Sequence, residues 1–208
     1  YSSEFPWMAD GANGEVAMNY TFKKADEGWK ALSVYRFKRF EQEVYYREAW
    51  LRNDTDIEFQ LADILLPDGV LRVDKAMSVN PVEAHLGHYA LPHLTNTIKE
   101  KTIKKHGYTA YVIENEKHQL AMVPLYGWKE VGFEHTSGLH PESDECTVLN
   151  AKEIFTGEKI FVTLLLWNKA GMKVDNKRLF PVKDVLVSHD KKSVTVLLND
   201  GTRKEVVW

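Results

Sequence analysis

The stretch EAHLGHYALPH gathers Glu83, His85, His88, Tyr89 and His93 into eleven positions. Imidazoles this close could ligate a metal, and a pair such as His88 and Tyr89 could act as weak catalytic candidates by passing a proton. Leu86, Ala90, Leu91 and Leu94 stand between the polar residues, so the competing reading is a tucked-in loop whose histidines bond to backbone. The spacing matches no strong zinc pattern. The expectation is therefore no cofactor and no bound metal, with His85, His88 and His93 the residues that would hold one.

The segment EHTSGLHPESDE concentrates Glu134, His135, His140, Glu142, Asp144 and Glu145. Such runs usually form a solvated acidic loop. Glycoside hydrolysis would need two carboxyl groups facing one bond at a defined separation, and nothing in the spacing selects a pair. Aromatic residues make up 12% of the chain, and Trp7, Trp29, Trp50, Tyr126, Trp128 and Trp167 are possible stacking platforms or core residues. Trp128 lies between Gly127 and Lys129 at the end of a strand-like run, where a turn could present it. Trp128, Tyr126 and His85 are the candidate carbohydrate-binding residues. GxSxG, P-loop, GxGxxG and HExxH signatures are absent, and Cys146 has no evident activating partner.

The elements that must position these residues read as strands. EVAMNYTFK places Val16, Met18, Tyr20 and Phe22 at period two, and WKALSVYRF follows the turn ADEG as a hairpin partner. EVYYREAWLRN and IEFQLADILLP continue a meander that stops at Pro67-Asp68-Gly69, a strong turn signal. From Val79 to Gly107, two prolines, four histidines and the run KEKTIKK predict a long, partly packed loop. YTAYVIEN and QLAMVPLY form a hairpin, and GWKEVGFEH could extend it. ECTVLNAKEIF is expected to turn at Thr156-Gly157 into KIFVTLLLW. DVLVSH, SVTVLLN and TRKEVVW close the chain, the last two joined by an Asp-Gly hairpin signal. No helical period persists, so the fold class is all-β: an antiparallel two-sheet sandwich, supersandwich-like, with one long irregular loop region.

At 208 residues, with 44% apolar and 27% charged, the chain suits one domain spanning 1-208. A net charge of -3 supplies no basic field for nucleic acid, and no apolar run reaches the roughly 20 residues of a membrane span. Neither nucleic acid nor a membrane is expected as a partner. The single cysteine forms no internal disulfide, which leans towards the cytoplasm without fixing the compartment. Beginning at YSSEFPW and stopping on EVVW, the chain reads as a C-terminal fragment of a longer protein.

The runs FPWMADGANGEVAMNYTF, YRFKRFEQEVYYREAWLRN, LADILLPDG, LGHYALPHL, AMVPLYGW, GLHPESDECTVLNA and LLLWNKAG together resemble the C-terminal β-sandwich of the bacterial domain-of-unknown-function 2264 family. That family joins an α/α-toroid to a β-sandwich in a heparinase-like layout. The resemblance implies an accessory, non-catalytic sheet domain of a polysaccharide lyase or glycoside hydrolase-like protein, inactive alone. The partners it implies are an N-terminal helical domain of the same chain and an acidic oligosaccharide, with His85, His88 or His93 lent to a cleft. A stand-alone carbohydrate- or protein-binding module is the alternative, and a complete mutarotase-like enzyme a further one. Phe5, Pro6, Trp7, Met8 and the Leu86 to Leu94 stretch would then line an apolar flank covered by another domain.

Overall fold

A computed structural model describes residues 8–10, 15–23, 30–41, 44–52, 57–92, 98–115, 118–140, 143–169 and 179–208. Within them the chain is built from strands, as the period-two patterning requires. An antiparallel meander runs β1 (Met8–Asp10), β2 (Glu15–Lys23), β3 (Lys30–Glu41), β4 (Val44–Arg52), β5 (Ile57–Leu66) and β6 (Gly69–Pro92), each hydrogen-bonded to the next. β7 (Lys99–Lys105), β8 (Tyr108–Glu114) and β9 (His118–Tyr126) form a second meander. β10 (Glu130–His140) and β11 (Ser143–Lys169) follow, and β11 joins the two meanders by pairing with β6 on one side and β9 on the other. The sheet thus has eleven strands, with β7 at one end of its order. β12 (Val182–Val187), β13 (Ser193–Leu198) and β14 (Arg203–Val207) make a separate antiparallel sheet.

The expected turns at Pro67-Asp68, at residues 189–192 and at Asn199-Asp200-Gly201 are present. Gly201 adopts φ 88, the left-handed conformation that favours glycine there. Two expectations change. The stretch from Val79 to Pro92 is not loop but the second half of β6, and Lys99 to Lys105 is strand as well. Pro81 is accommodated because the ladder is interrupted there: Phe155 pairs with Val82 and Gly157 with Ser78, which leaves three residues of β6 opposite Thr156 alone. Ser78 Oγ closes the irregularity by donating to the Asn80 carbonyl at 2.8 Å. The turn expected at Thr156-Gly157 is this same bulge, within one continuous β11, and Gly157 sits in it at φ 75.

The second correction concerns EHTSGLHPESDE, which is a hairpin and not an acidic loop. Glu134, His135 and His140 lie on β10, and Asp144 and Glu145 lie on β11. Glu142 is outside the described residues. The alternation Val131, Phe133 and then Cys146, Val148 is the strand signal that the charged residues obscured.

Register alternation assigns the two faces of the large sheet. One face carries the row Val44, Ile64, Leu71, Leu164, Val123 across β4, β5, β6, β11 and β9, and the row Tyr46, Ala62, Val73, Val162 beside it. These are buried, and Leu179, Phe180, Val182, Val194, Val196 and Val206 of the small sheet and its approach pack on them. On the opposite face, Val70, Leu165, Met122 and Ile113 meet Leu149 and Ala151 from the first half of β11, with Val131 and Phe133 of β10. Beyond their shared bulge, β6 and β11 therefore fold back with β10 as a cover over the second face. The small sheet is tethered where Val207 N–H donates to Tyr46 Oη at 3.4 Å and Trp208 meets the Tyr46 ring edge-on.

Candidate functional site

The second face holds a polar grouping built by register. Asp63, Arg72 and Thr163 are register partners across β5, β6 and β11. The next row places Asp74 opposite Phe161, and the one after it Ala76 between Phe59 and Lys159. Arg72 Nε donates to Asp63 Oδ1 at 2.8 Å and its terminal nitrogen to Oδ2 at 3.4 Å, a forked charge-assisted pair. Asp74 and Thr163 are buried. A polar band thus crosses this face between two apolar clusters.

Trp128 closes over the band. Its indole Nε1–H donates to Thr163 Oγ1 at 2.8 Å, and its ring stacks on Phe161 with centroids 4.1 Å apart. Phe161 also meets Phe155 edge-on. Gly127 makes the approach possible, because at φ 89 a Cβ there would lie 2.2 Å from the Ile160 carbonyl oxygen. Weighed from sequence between ligand contact and packing, Trp128 is half-buried and packs against the cluster of Ala76, Ala84, Phe155 and Phe161. Tyr126, opposite Val162 at the end of β9, is exposed.

Glu153 stands beside this cluster. Two positions from Phe155 on β11, it shares that residue's face, and its carboxylate side chain is 1% exposed. Lys159 Nζ lies 3.1 Å and Lys129 Nζ 3.3 Å from its Oε1, while Oε2 is buried without a hydrogen-bond partner. Burial pushes this carboxyl up, but the hydrogen bonds and charges of Lys159 and Lys129 outweigh it and hold the group below the ordinary carboxylate range. It is an ionised acceptor in a low-dielectric setting.

The histidine cluster falls differently. His85 lies on β6 opposite Lys152 and Tyr89 opposite Leu149, with His88 where the register shifts between them. Their side chains, and His93 and Trp7 altogether, lie outside the described residues, as do Phe5 and Pro6. His135 Nε2 contacts Glu100 Oε1 at 2.5 Å, joining β10 to β7. Cys146 is buried, which pushes its thiol up and away from nucleophilic use. Among the described residues no group of three or more His, Cys, Asp or Glu gathers as metal ligands.

Sequence reasoning passed over Asp63, Arg72, Asp74, Thr163 and Glu153. The signal was available: in LADILLPDGVLRVDKAM, Asp63 interrupts one apolar strand run, and Arg72 and Asp74 stand at alternate positions of the next. The arrangement brings buried carboxylates, a guanidinium and an indole ring together on one face of the sheet.

No known family and no curated protein matches the chain. Among solved structures, a heparinase III gene product with methylated lysines is similar at 10% identity and a TM-score of 0.44, over 91% of this chain and 27% of that one. A mutant of heparan sulfate lyase HepC from Pedobacter heparinus is similar at 11% identity and a TM-score of 0.44, over 98% and 27%. The chain spans about a quarter of the length of these structures.

Proposed function

We propose that this chain is an accessory sheet domain of a carbohydrate-active protein, non-catalytic by itself, which contacts a saccharide through its second face and packs on a helical domain of the same protein. The observation that carries the reading is the polar band of Asp63, Arg72, Asp74 and Thr163 under Trp128, with the ionised Glu153 beside it. A sugar presents hydroxyls to such acceptors and donors, and an apolar ring face to an indole. The accessory role, the acidic saccharide and the helical partner are carried over from the resemblance drawn from the sequence runs alone, since no family model matches the chain.

The test is an oligosaccharide array probed with the wild-type chain, Trp128→Phe and Arg72→Lys. The expected result is binding of at least one glycan by the wild type and at least about tenfold weaker binding by both variants, each removing a donor from the band. Wild-type silence on the array, or variants that bind as the wild type does, would overturn the assignment. The chain alone is expected to turn over no uronic-acid oligosaccharide, because no acid, base and nucleophile are seen gathered about one position among the described residues. Measured turnover would refute the non-catalytic half of the proposal.

A further inference from the structure

β7 stands at the end of the large sheet's order and pairs, among the described residues, with β8 alone. Its sequence is KEKTIKK, so Lys99, Lys101, Lys104 and Lys105 lie within seven positions of a chain whose net charge is -3. Lys101 is held by Glu114 at 3.0 Å. Glu100, the strand's own acid, is taken up by His135 at 2.5 Å and by Thr147 of β11. Lys104 and Lys105 have no ion pair among the described residues, and Lys104 is exposed. At the tip, His106 and Gly107 at φ 54 and 82 form the tight turn that returns the chain to Tyr108, the register partner of Lys105.

We infer that the outer edge of β7 is a docking edge for a linear anionic polysaccharide, separate from the Trp128 face. Extended backbone spaces alternate residues by about 6.6 Å, so Lys99, Lys101 and Lys105 form a line of point charges on one face of the edge strand with Lys104 on the other, which suits a polymer that carries its charges along its length. The same lysines oppose the addition of another peptide strand to the edge. Nucleic acid is the poorer fit: β7 carries no aromatic side chain on which a base could stack, and the remainder of the chain supplies no basic field. The choice of a carbohydrate polymer rests on the function proposed above. The location of the edge does not.

The experiment titrates polygalacturonate, neutral dextran and single-stranded DNA into the full chain over a range of salt concentrations. It compares the wild type, Lys104→Glu/Lys105→Glu, Lys104→Gln/Lys105→Gln and, as a charge control on the exposed surface of the small sheet, Lys183→Glu/Lys192→Glu. The expected result is polygalacturonate binding that weakens linearly in log salt, falls about tenfold or more in the glutamate variant and by less in the glutamine variant, and falls by less than about threefold in Lys183→Glu/Lys192→Glu, which makes the same charge change away from β7. Dextran and DNA should bind at least about tenfold more weakly than polygalacturonate. If the glutamate variant does not fold, the glutamine variant decides. No binding by the wild type, equal binding by the lysine variants, or DNA binding as tight as polygalacturonate would each overturn the inference. Failure of the array alone would leave the edge standing, and failure of polygalacturonate binding alone would leave the Trp128 face standing.

Discussion

The two faces of β5, β6 and β11 are made by alternate residues of the same strands, yet they differ in kind. Ile64, Leu71 and Leu164 form one apolar row, and one step along the chain Asp63, Arg72 and Thr163 form a polar one. Both faces are covered, the first by the small sheet and the second by the folded-back ends of β6 and β11 with β10. An apolar row between two layers contributes to stability with no directional requirement. A polar row in the same position is costly unless each group finds a partner. Carrying one here means either a fully satisfied structural network or a place for a ligand.

The largest expected effect tests the apolar face. Leu164→Ala should cost about 3 kcal/mol in denaturant unfolding, because a wholly buried leucine leaves a cavity between two sheets that cannot both close on it. A loss under about 1 kcal/mol would mean that the small sheet is loosely docked. The contrast of the faces would then fail.

The next effect tests Glu153. Replacing both lysines, Lys129→Met with Lys159→Met, leaves a buried carboxylate without its cations and should cost about 2 to 4 kcal/mol near pH 7. The pH dependence should also reverse sign. In the wild type the folded carboxyl is held below its unfolded value of about 4.3, so its contribution is present above that pH and is lost as pH falls through the folded value. With the lysines gone, burial alone raises the group, and the double variant should recover stability as pH falls and the carboxyl protonates. Denaturant unfolding between pH 3 and 7 reads this, with Glu153→Gln as the control that lacks the titration. Parallel curves for all three proteins would show that the carboxyl titrates in the fold as it does in the unfolded chain, so that neither burial nor the lysines act on it.

A smaller effect concerns the contact that binds the cover to the band. Thr163→Val removes the acceptor of the Trp128 indole and should cost about 1 to 2 kcal/mol by leaving a half-buried N–H unpaired. Trp128→Phe keeps a ring on Phe161 but loses the donor and part of the indole's packing, so its cost should be similar. If Trp128→Phe is the worse of the two, ring size and not the hydrogen bond secures the turn.

Much of the strand order was legible because period-two alternation and turn residues act locally. The hairpins at Pro67-Asp68 and Asn199-Asp200-Gly201 are set by a few residues whose conformational preferences do not depend on the rest of the fold. The long β6–β11 ribbon was not legible, because Asn80-Pro81 reads locally as a loop while the bulge opposite Thr156 spares that proline a ladder bond. The candidate site was missed for a related reason. Asp63, Arg72 and Thr163 are 9 and 91 residues apart along the chain and adjacent only through register, whereas the histidines that drew attention are neighbours in the sequence. Trp128 was singled out because glycine beside it signalled a turn, but its partner Thr163 lies on another strand.

The smallest expected effect lies at the rim of the cover. His135 on β10 and Glu100 on β7 are in contact, but the His135 side chain is 67% exposed and that of Glu100 29%. Solvent and salt screen a pair this open, and two mobile side chains lose rotamer freedom to hold it. His135→Gln should therefore change stability by no more than about 0.5 kcal/mol, in contrast to Thr163→Val a few ångströms deeper, and should not alter the salt dependence of polygalacturonate binding by β7. The comparison is sharpest at low ionic strength, where an exposed pair has its best chance to contribute. A loss above about 1.5 kcal/mol there would mean that the rim, and not the Trp128 contact, fastens β10 over the second face.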